Sequence, residues 1–229
     1  MRHSNAVWAT LEQTAREEDL DIILVQEPPL FIHGESKWKG FRLAHASRSP
    51  SHAVIMYKEN LECSPCNFEG SRVCGAQVGY RGMKLIVISA YIRHTTGDGA
   101  DQLSRALTRT SEMSSVIFVG LDSNGHSPLW GPAGSKVDKI GEMVEGVLCE
   151  GGLLVLNSQD SLPTFCSDMG HKTWIHVSAA SPALVPCVSE WAVWDHVEVL
   201  SDHRLIVTQM LSQLGRTDVR WMRDWRSVE

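Results

Sequence analysis

The chain has 229 residues, of which 43% are hydrophobic and 21% charged, with a formal net charge of −6; this suits one large globular domain, or two small ones, and excludes a disordered or fibrous chain. The acidic balance excludes a protein that coats nucleic acid by bulk electrostatics, but not a nuclease whose own carboxylates hold a cation. No apolar run approaches the ~20 residues of a membrane-spanning helix and Met1-Arg2-His3-Ser4-Asn5 lacks the apolar block of a signal peptide, so a soluble intracellular protein with no membrane partner is expected.

Ser4 can cap a first helix running to about Asp19, because Val7, Leu11 and Ala15 recur at four-residue spacing. The continuous apolar run Asp21 to Gln26, closed by Glu27-Pro28-Pro29, reads as a strand buried on both faces, with Glu27 at its C-terminal end. Further strands are expected over Ala53 to Tyr57, Val73 to Val78, Lys84 to Tyr91 and Val116 to Leu121. Cys63-Ser64-Pro65-Cys66 has no second Cys/His pair at finger spacing and reads as incidental, and the six scattered cysteines read as reduced thiols. Helices are expected over Ala100 to Met113 and Val137 to Glu150, the second stopping at Gly151-Gly152. Leu153 to Leu156, Thr173 to Ser178 and Arg204 to Met210 complete the strands. From Leu214 the chain turns basic, with Arg216, Arg220, Arg223 and Arg226 interleaved with Trp221 and Trp225, and reads as a linker that could also touch nucleic acid. Many strands with few helices, not in strict alternation, imply two packed sheets flanked by helices.

Three polar clusters stand at expected strand ends: Gln26-Glu27, Asp122-Ser123-Asn124 and Ser201-Asp202-His203. Any one of them alone reads as a turn. In order along the chain, Leu24-Val25-Gln26-Glu27-Pro28, Ile88-Ser89-Ala90-Tyr91, the stretch Gly120-Leu121-Asp122-Ser123-Asn124-Gly125-His126-Ser127-Pro128-Leu129-Trp130-Gly131, Leu162-Pro163-Thr164-Phe165 and Ser201-Asp202-His203-Arg204-Leu205-Ile206 resemble the endonuclease domains of non-long-terminal-repeat retrotransposons. Those domains belong to the apurinic-endonuclease-like endonuclease/exonuclease/phosphatase superfamily.

The resemblance implies an α/β fold, a four-layer α-β-β-α sandwich of two facing mixed sheets, over residues 1–213, with 214–229 as a basic linker toward a reverse transcriptase. It implies a nuclear, Mg²⁺-dependent DNA endonuclease that nicks double-stranded target DNA and leaves a 3′-hydroxyl as primer for the reverse transcriptase domain of the same polyprotein. By the same resemblance Glu27 holds Mg²⁺ and Asp122 aligns and deprotonates water. Asn124 and Tyr91 hydrogen-bond the phosphate, with His126 a further substrate contact, and Asp202-His203 complete the site, His203 bonding a phosphoryl oxygen. Such chemistry needs a cation, an activated water and donors to the phosphoryl oxygens, and oxygen ligands suit magnesium. Trp130 reads as a packing anchor.

The sequence departs from the pattern twice. Where the family carries an acidic residue that orients the S-D-H histidine, this chain has His176, in Thr173-Trp174-Ile175-His176-Val177-Ser178; a second imidazole is expected to push the pKa of His203 down. The family's first strand, ending in Q-x-N, has no room ahead of the helix that opens near Ser4. Two other readings follow: a catalytically degenerate DNA-binding relic, and a phosphodiesterase or phosphatase of the same superfamily.

Overall fold

A computed structural model describes residues 5–29, 38–114, 116–197, 200–211 and 219–220. In chain order the elements are α1 (Asn5–Glu17), β1 (Ile22–Gln26), β2 (Phe41–His45), β3 (Ala53–Lys58), β4 (Cys63–Cys66), β5 (Val73–Tyr80), β6 (Met83–Tyr91), α2 (Ala100–Ser111), β7 (Val116–Asp122), α3 (Lys139–Glu150), β8 (Leu154–Val155), β9 (Phe165–Cys166), β10 (Lys172–Thr173), β11 (His176–Ala180), β12 (Val188–Trp194), β13 (Leu205–Met210) and β14 (Val219–Arg220), with one 3₁₀ turn at Val185–Cys187.

Alternation along the strands builds four layers. On β6, Leu85 and Val87 point to the inter-sheet core, whereas Ile86 and Ile88 point to the cluster formed with Leu103, Leu107, Val144 and Leu148 of α2 and α3. On β3, Ala53, Ile55 and Tyr57 enter the inter-sheet core, while Val54 and Met56 pack under Leu11 and Ala15 of α1. Residues one apart on a strand face opposite sides, so continuous apolar runs are what a sheet covered on both faces requires. The result is the expected α-β-β-α sandwich.

One layer is a six-stranded sheet ordered β4-β5-β6-β7-β11-β8, antiparallel except for the parallel β6–β7 pair. The layer facing it is in two pieces, β1-β3-β2 and β12-β13-β14. Among the described residues β1 and β13 do not pair with each other, and an apolar cleft lies between them, lined by Leu24, Phe118, Leu205 and Ile206 and reached by Val7 and Leu11 of α1.

Several expectations are corrected. The strand expected at Thr173 to Ser178 is split: Thr173 pairs with Phe165 in a small hairpin, and β11 begins at His176. Short or half-exposed β2, β4, β9 and β12 carry too little apolar alternation to have been expected as strands. The linker expected from residue 214 lies outside the described residues except for Val219 and Arg220, whose backbones pair with Met210 and Gln209. All six cysteines are free. Cys63 and Cys66 stand three apart on one strand and pack on opposite faces of the sheet, Cys63 toward the inter-sheet core and Cys66 toward the helices, so the pair cannot converge on one metal.

Candidate active site

The same alternation that fills the core aligns a polar row at one end of the six-stranded sheet. The inner positions run Leu85, Val87, Ser89, Tyr91 on β6, then Val116, Phe118, Gly120, Asp122 on β7, and Ala180, Ser178, His176 on β11. Registers pair Tyr91 with Asp122 and Asp122 with His176, so the three side chains stand abreast on the face toward β1. Gly120 lets the layers close over this row: a Cβ there would lie 2.6 Å from Leu24 Cδ1.

From the other layer, Gln26 ties the sheets together. Its Nε2 donates to Ser89 Oγ (3.1 Å) and to the Gly120 carbonyl (3.3 Å), and Ser89 Oγ donates to the Val25 carbonyl (3.3 Å). Glu27 follows with a positive φ of 50° and donates its N–H to the His52 carbonyl (2.9 Å). Asn124 also has a positive φ, 48°; its N–H donates to Asp122 Oδ1 (3.1 Å) and its Nδ2 to the Ile92 carbonyl (3.0 Å). Both residues take the left-handed backbone that non-glycine residues seldom adopt.

His203 arrives from the loop before β13. Thr164, fully buried, holds it in register with β11: Thr164 Oγ1 accepts the N–H groups of Ile175 (3.0 Å) and His176 (3.2 Å), and its carbonyl accepts from Arg204 N (2.8 Å). Asn157 fastens β11 further through the His176 carbonyl (2.9 Å) and the Ser178 N–H (2.8 Å). His203 Nδ1 then lies 2.9 Å from His176 Nε2, which lies 4.0 Å from Asp122 Oδ2. The two rings meet edge to face, and Phe165 packs edge-on against His203.

Burial sets the charges. Asp122, 3% exposed, is pushed up to about 7, first by burial and further by the charge of Glu27, against a lowering hydrogen bond from Asn124 N. Burial lowers His203 to about 4, and burial with repulsion from His203 holds His176 well below its usual value. His203 is lowered, as expected, but by its burial rather than by the second imidazole. Tyr91 is raised by burial, by its hydrogen bond to Glu27 and by the charges of Glu27 and Asp122, and stays a protonated donor. His176 Nδ1 is buried without a partner. The proton assignment that leaves it a bare lone pair, rather than an N–H without an acceptor, has His176 Nε2 donating to His203 Nδ1.

Glu27, Tyr91, Asp122, Asn124, His176 and His203 are therefore one connected group. Of the other expected residues, His126 stands apart from it. His126 Nδ1 lies 2.7 Å from Asp138 Oδ2, and Asp138 caps α3 by accepting from Gly141 N. Asp202 accepts from Cys166 N through its backbone carbonyl (2.7 Å). Trp130 is fully buried, donating Nε1–H to the Gly125 carbonyl (3.1 Å), as a packing anchor should.

Sequence reasoning missed His52, stacked on Tyr91 at 5.9 Å, and the buried Arg72, whose guanidinium carbon sits 5.4 Å from the Tyr91 ring centre. Neither belongs to a strand-end cluster, although Arg72 immediately precedes β5 and that position was a usable signal. The donor set fits a hard divalent cation: the Glu27 and Asp122 carboxylates interact electrostatically, and both imidazoles are held neutral, so neither offsets the negative charge.

Residues 85–207 match the family model described as endonuclease-reverse transcriptase. The fold is similar to the endonuclease domain of TRAS1, a telomere-specific non-LTR retrotransposon, at TM-score 0.79 and 22% identity, over 93% of this chain and 95% of that one. It is similar to AP endonuclease LMAP from Leishmania major at TM-score 0.70 and 12% identity, over 90% and 84% of the two chains. It is also similar to the 3′-5′ exonuclease NExo from Neisseria meningitidis at TM-score 0.69 and 14% identity, over 90% and 95%. No curated protein matches the chain in sequence.

Proposed function

The chain belongs to the endonuclease-reverse transcriptase family, and on that premise we propose that it is a Mg²⁺-dependent endonuclease that nicks double-stranded target DNA in the nucleus, leaving a 3′-hydroxyl from which the reverse transcriptase domain of the same polyprotein primes synthesis. The observation that carries the reading is the register that stands Tyr91, Asp122 and His176 abreast, with Glu27 and His203 closing on them from the facing layer. The fold shared with the TRAS1 endonuclease domain supports it.

Glu27 would hold Mg²⁺, beside Asp122; when bound, the ion neutralises charge on the phosphoryl and leaving oxygens. Asp122, whose burial raises its proton affinity, takes the proton of the attacking water. The water oxygen bonds phosphorus and the bond from phosphorus to O3′ breaks; O3′ leaves with the bonding pair and takes a proton from solvent, giving a 5′-phosphate and a 3′-hydroxyl. Asn124 spends one amide hydrogen on the Ile92 carbonyl and keeps the other for a phosphoryl oxygen. The Tyr91 hydroxyl, held protonated, is a second donor. His203, accepting from His176 at Nδ1, carries its own proton on Nε2 and donates to phosphate as a neutral group. On this reading His176 fixes the tautomer of His203 but supplies no charge.

That missing charge favours a second reading, a DNA-binding domain with degenerate catalysis. Supercoiled plasmid incubated with the protein and Mg²⁺ separates the two, with binding measured in Ca²⁺. Nicking that disappears in Asp122→Asn supports the endonuclease. Binding in Ca²⁺ with no nicking above the Asp122→Asn background sinks it in favour of the relic.

A further inference from the structure

The geometry points to a second, chemically different metal site in this chain: Asp122, His176 and His203 form a two-histidine, one-carboxylate centre for a zinc-like transition-metal ion. Each of the three offers one ligand atom, and these atoms lie within 4.8 Å of one another. Two neighbouring ligands at zinc–nitrogen bond lengths of about 2.0–2.1 Å stand roughly 2.9–3.4 Å apart at octahedral to tetrahedral angles. His203 Nδ1 and His176 Nε2 are 2.9 Å apart, so the imidazoles already hold that spacing. Asp122 Oδ2, 4.0 Å from His176 Nε2, is the third ligand atom and must come closer to both nitrogens when an ion binds.

The site is built from its surroundings rather than assembled by chance on a surface. Asp122 and His176 are buried and directly opposed in the β7–β11 register. Thr164 holds the N–H of His176 and Asn157 its carbonyl, and Phe165 packs on the His203 ring. Burial keeps both imidazoles in the neutral form that binds metal. Nitrogen donors select zinc, cobalt or nickel over magnesium, which prefers oxygen alone. One cost is visible. Ligation at Nε2 moves the His176 proton to Nδ1, which is buried with no acceptor, so the affinity expected is lower than where a carboxylate backs the histidine.

The consequence is competition, and this part rests on the nicking activity proposed above. An ion held by Asp122, His176 and His203 takes away the group that accepts the water proton and the group that meets the phosphoryl oxygen. Zinc-like ions therefore act as inhibitors of Mg²⁺-dependent nicking, through His176.

The test is titration of the metal-free 229-residue chain with Co²⁺, read by visible absorption, and with Zn²⁺, read by calorimetry. One ion per chain is expected. Binding should weaken at least about tenfold in His176→Asn and in His203→Asn, and be unchanged in His171→Asn, which alters an exposed histidine outside the cluster. Far-ultraviolet circular dichroism checks that each variant folds; His203, on a half-buried loop, keeps the test open if His176→Asn does not. Absence of saturable binding, unchanged affinity in a folded His176→Asn or His203→Asn, or thiolate-to-cobalt charge-transfer bands revealing cysteine ligands would overturn the site. Binding is measured without DNA, so it stands or falls apart from nicking. Where nicking is present, micromolar-range Zn²⁺ should suppress it in the unmodified chain and not in any residual activity of His176→Asn; equal suppression of both overturns the competition.

Discussion

The inner faces of β6, β7 and β11 begin and end as two different materials. At one end Leu85, Val116 and Ala180 are sealed into the inter-sheet core; at the other Tyr91, Asp122 and His176 occupy the same face of the same strands. Local backbone geometry is alike at both ends, so the difference lies in what the facing layer supplies. Over the apolar end it supplies Ile55, Tyr57 and Met210. Over the polar end it supplies Gln26, Glu27 and, from the loop before β13, His203. The covered sheet thus delivers a carboxylate and one imidazole, and the facing layer a second imidazole, into a nearly dry site, and the low dielectric there, more than any single partner, moves their protonation.

The sharpest way to test that contrast is to change one residue at each end. Asp122→Asn should cut nicking by about 10²–10⁴-fold, the usual worth of a general base. It should leave the fold intact, and in the absence of divalent cations the variant should melt higher than the unmodified chain above pH 7, because it removes a buried charge. A variant that nicks normally would remove Asp122 from the mechanism. Phe118→Ala, four residues earlier on the same face, should instead cost about 3–5 kcal/mol of stability by opening a cavity, measured by denaturant unfolding. If its cost is below 1 kcal/mol, the core at that end is not the close-packed one described.

Smaller effects probe the join between the layers. Thr164→Val removes the acceptor of two buried N–H groups and should cost about 1–3 kcal/mol; nicking should fall as well, since β11 loses its anchor beside His203. Loss of stability without any change in nicking would show that the placement of His176 does not matter to the site.

A last effect is expected on the pH profile of stability. His203, at about 4 in the folded chain against an ordinary value near 6.5, contributes stability fully present above 6.5 and lost as pH falls toward 4, and His176 acts in the same direction. Asp122 is opposite in sign: raised from 3.8 to about 7, it contributes stability fully present below 3.8 and lost as pH rises through 7. Between pH 6.5 and 4 the carboxyl therefore offsets part of the loss due to the imidazoles. Asp122→Asn should steepen the fall in melting temperature across that window, measured without divalent cations. An unchanged slope would mean that Asp122 ionises at its ordinary pKa.

Much of the fold was readable in the sequence alone. The apolar, largely β-branched runs of β1, β6 and β7 and the periodicity of the three helices determine those elements locally, because each must bury its own apolar face whatever its partners. The polar strand ends at Glu27, Asp122 and His203, and the exceptional His176, could likewise be named from residue order and resemblance. Tertiary structure decided what those residues face. Gln26 reaches Ser89 across 63 positions, and His203 meets His176 across 27. Arg72 and His52 come to rest on Tyr91 from separate segments, while His126, which looked like a site residue, turns to the cap of α3. Such contacts depend on which strands pair and in which register, and register is settled by burial summed over whole sheets rather than by any local stretch of chain.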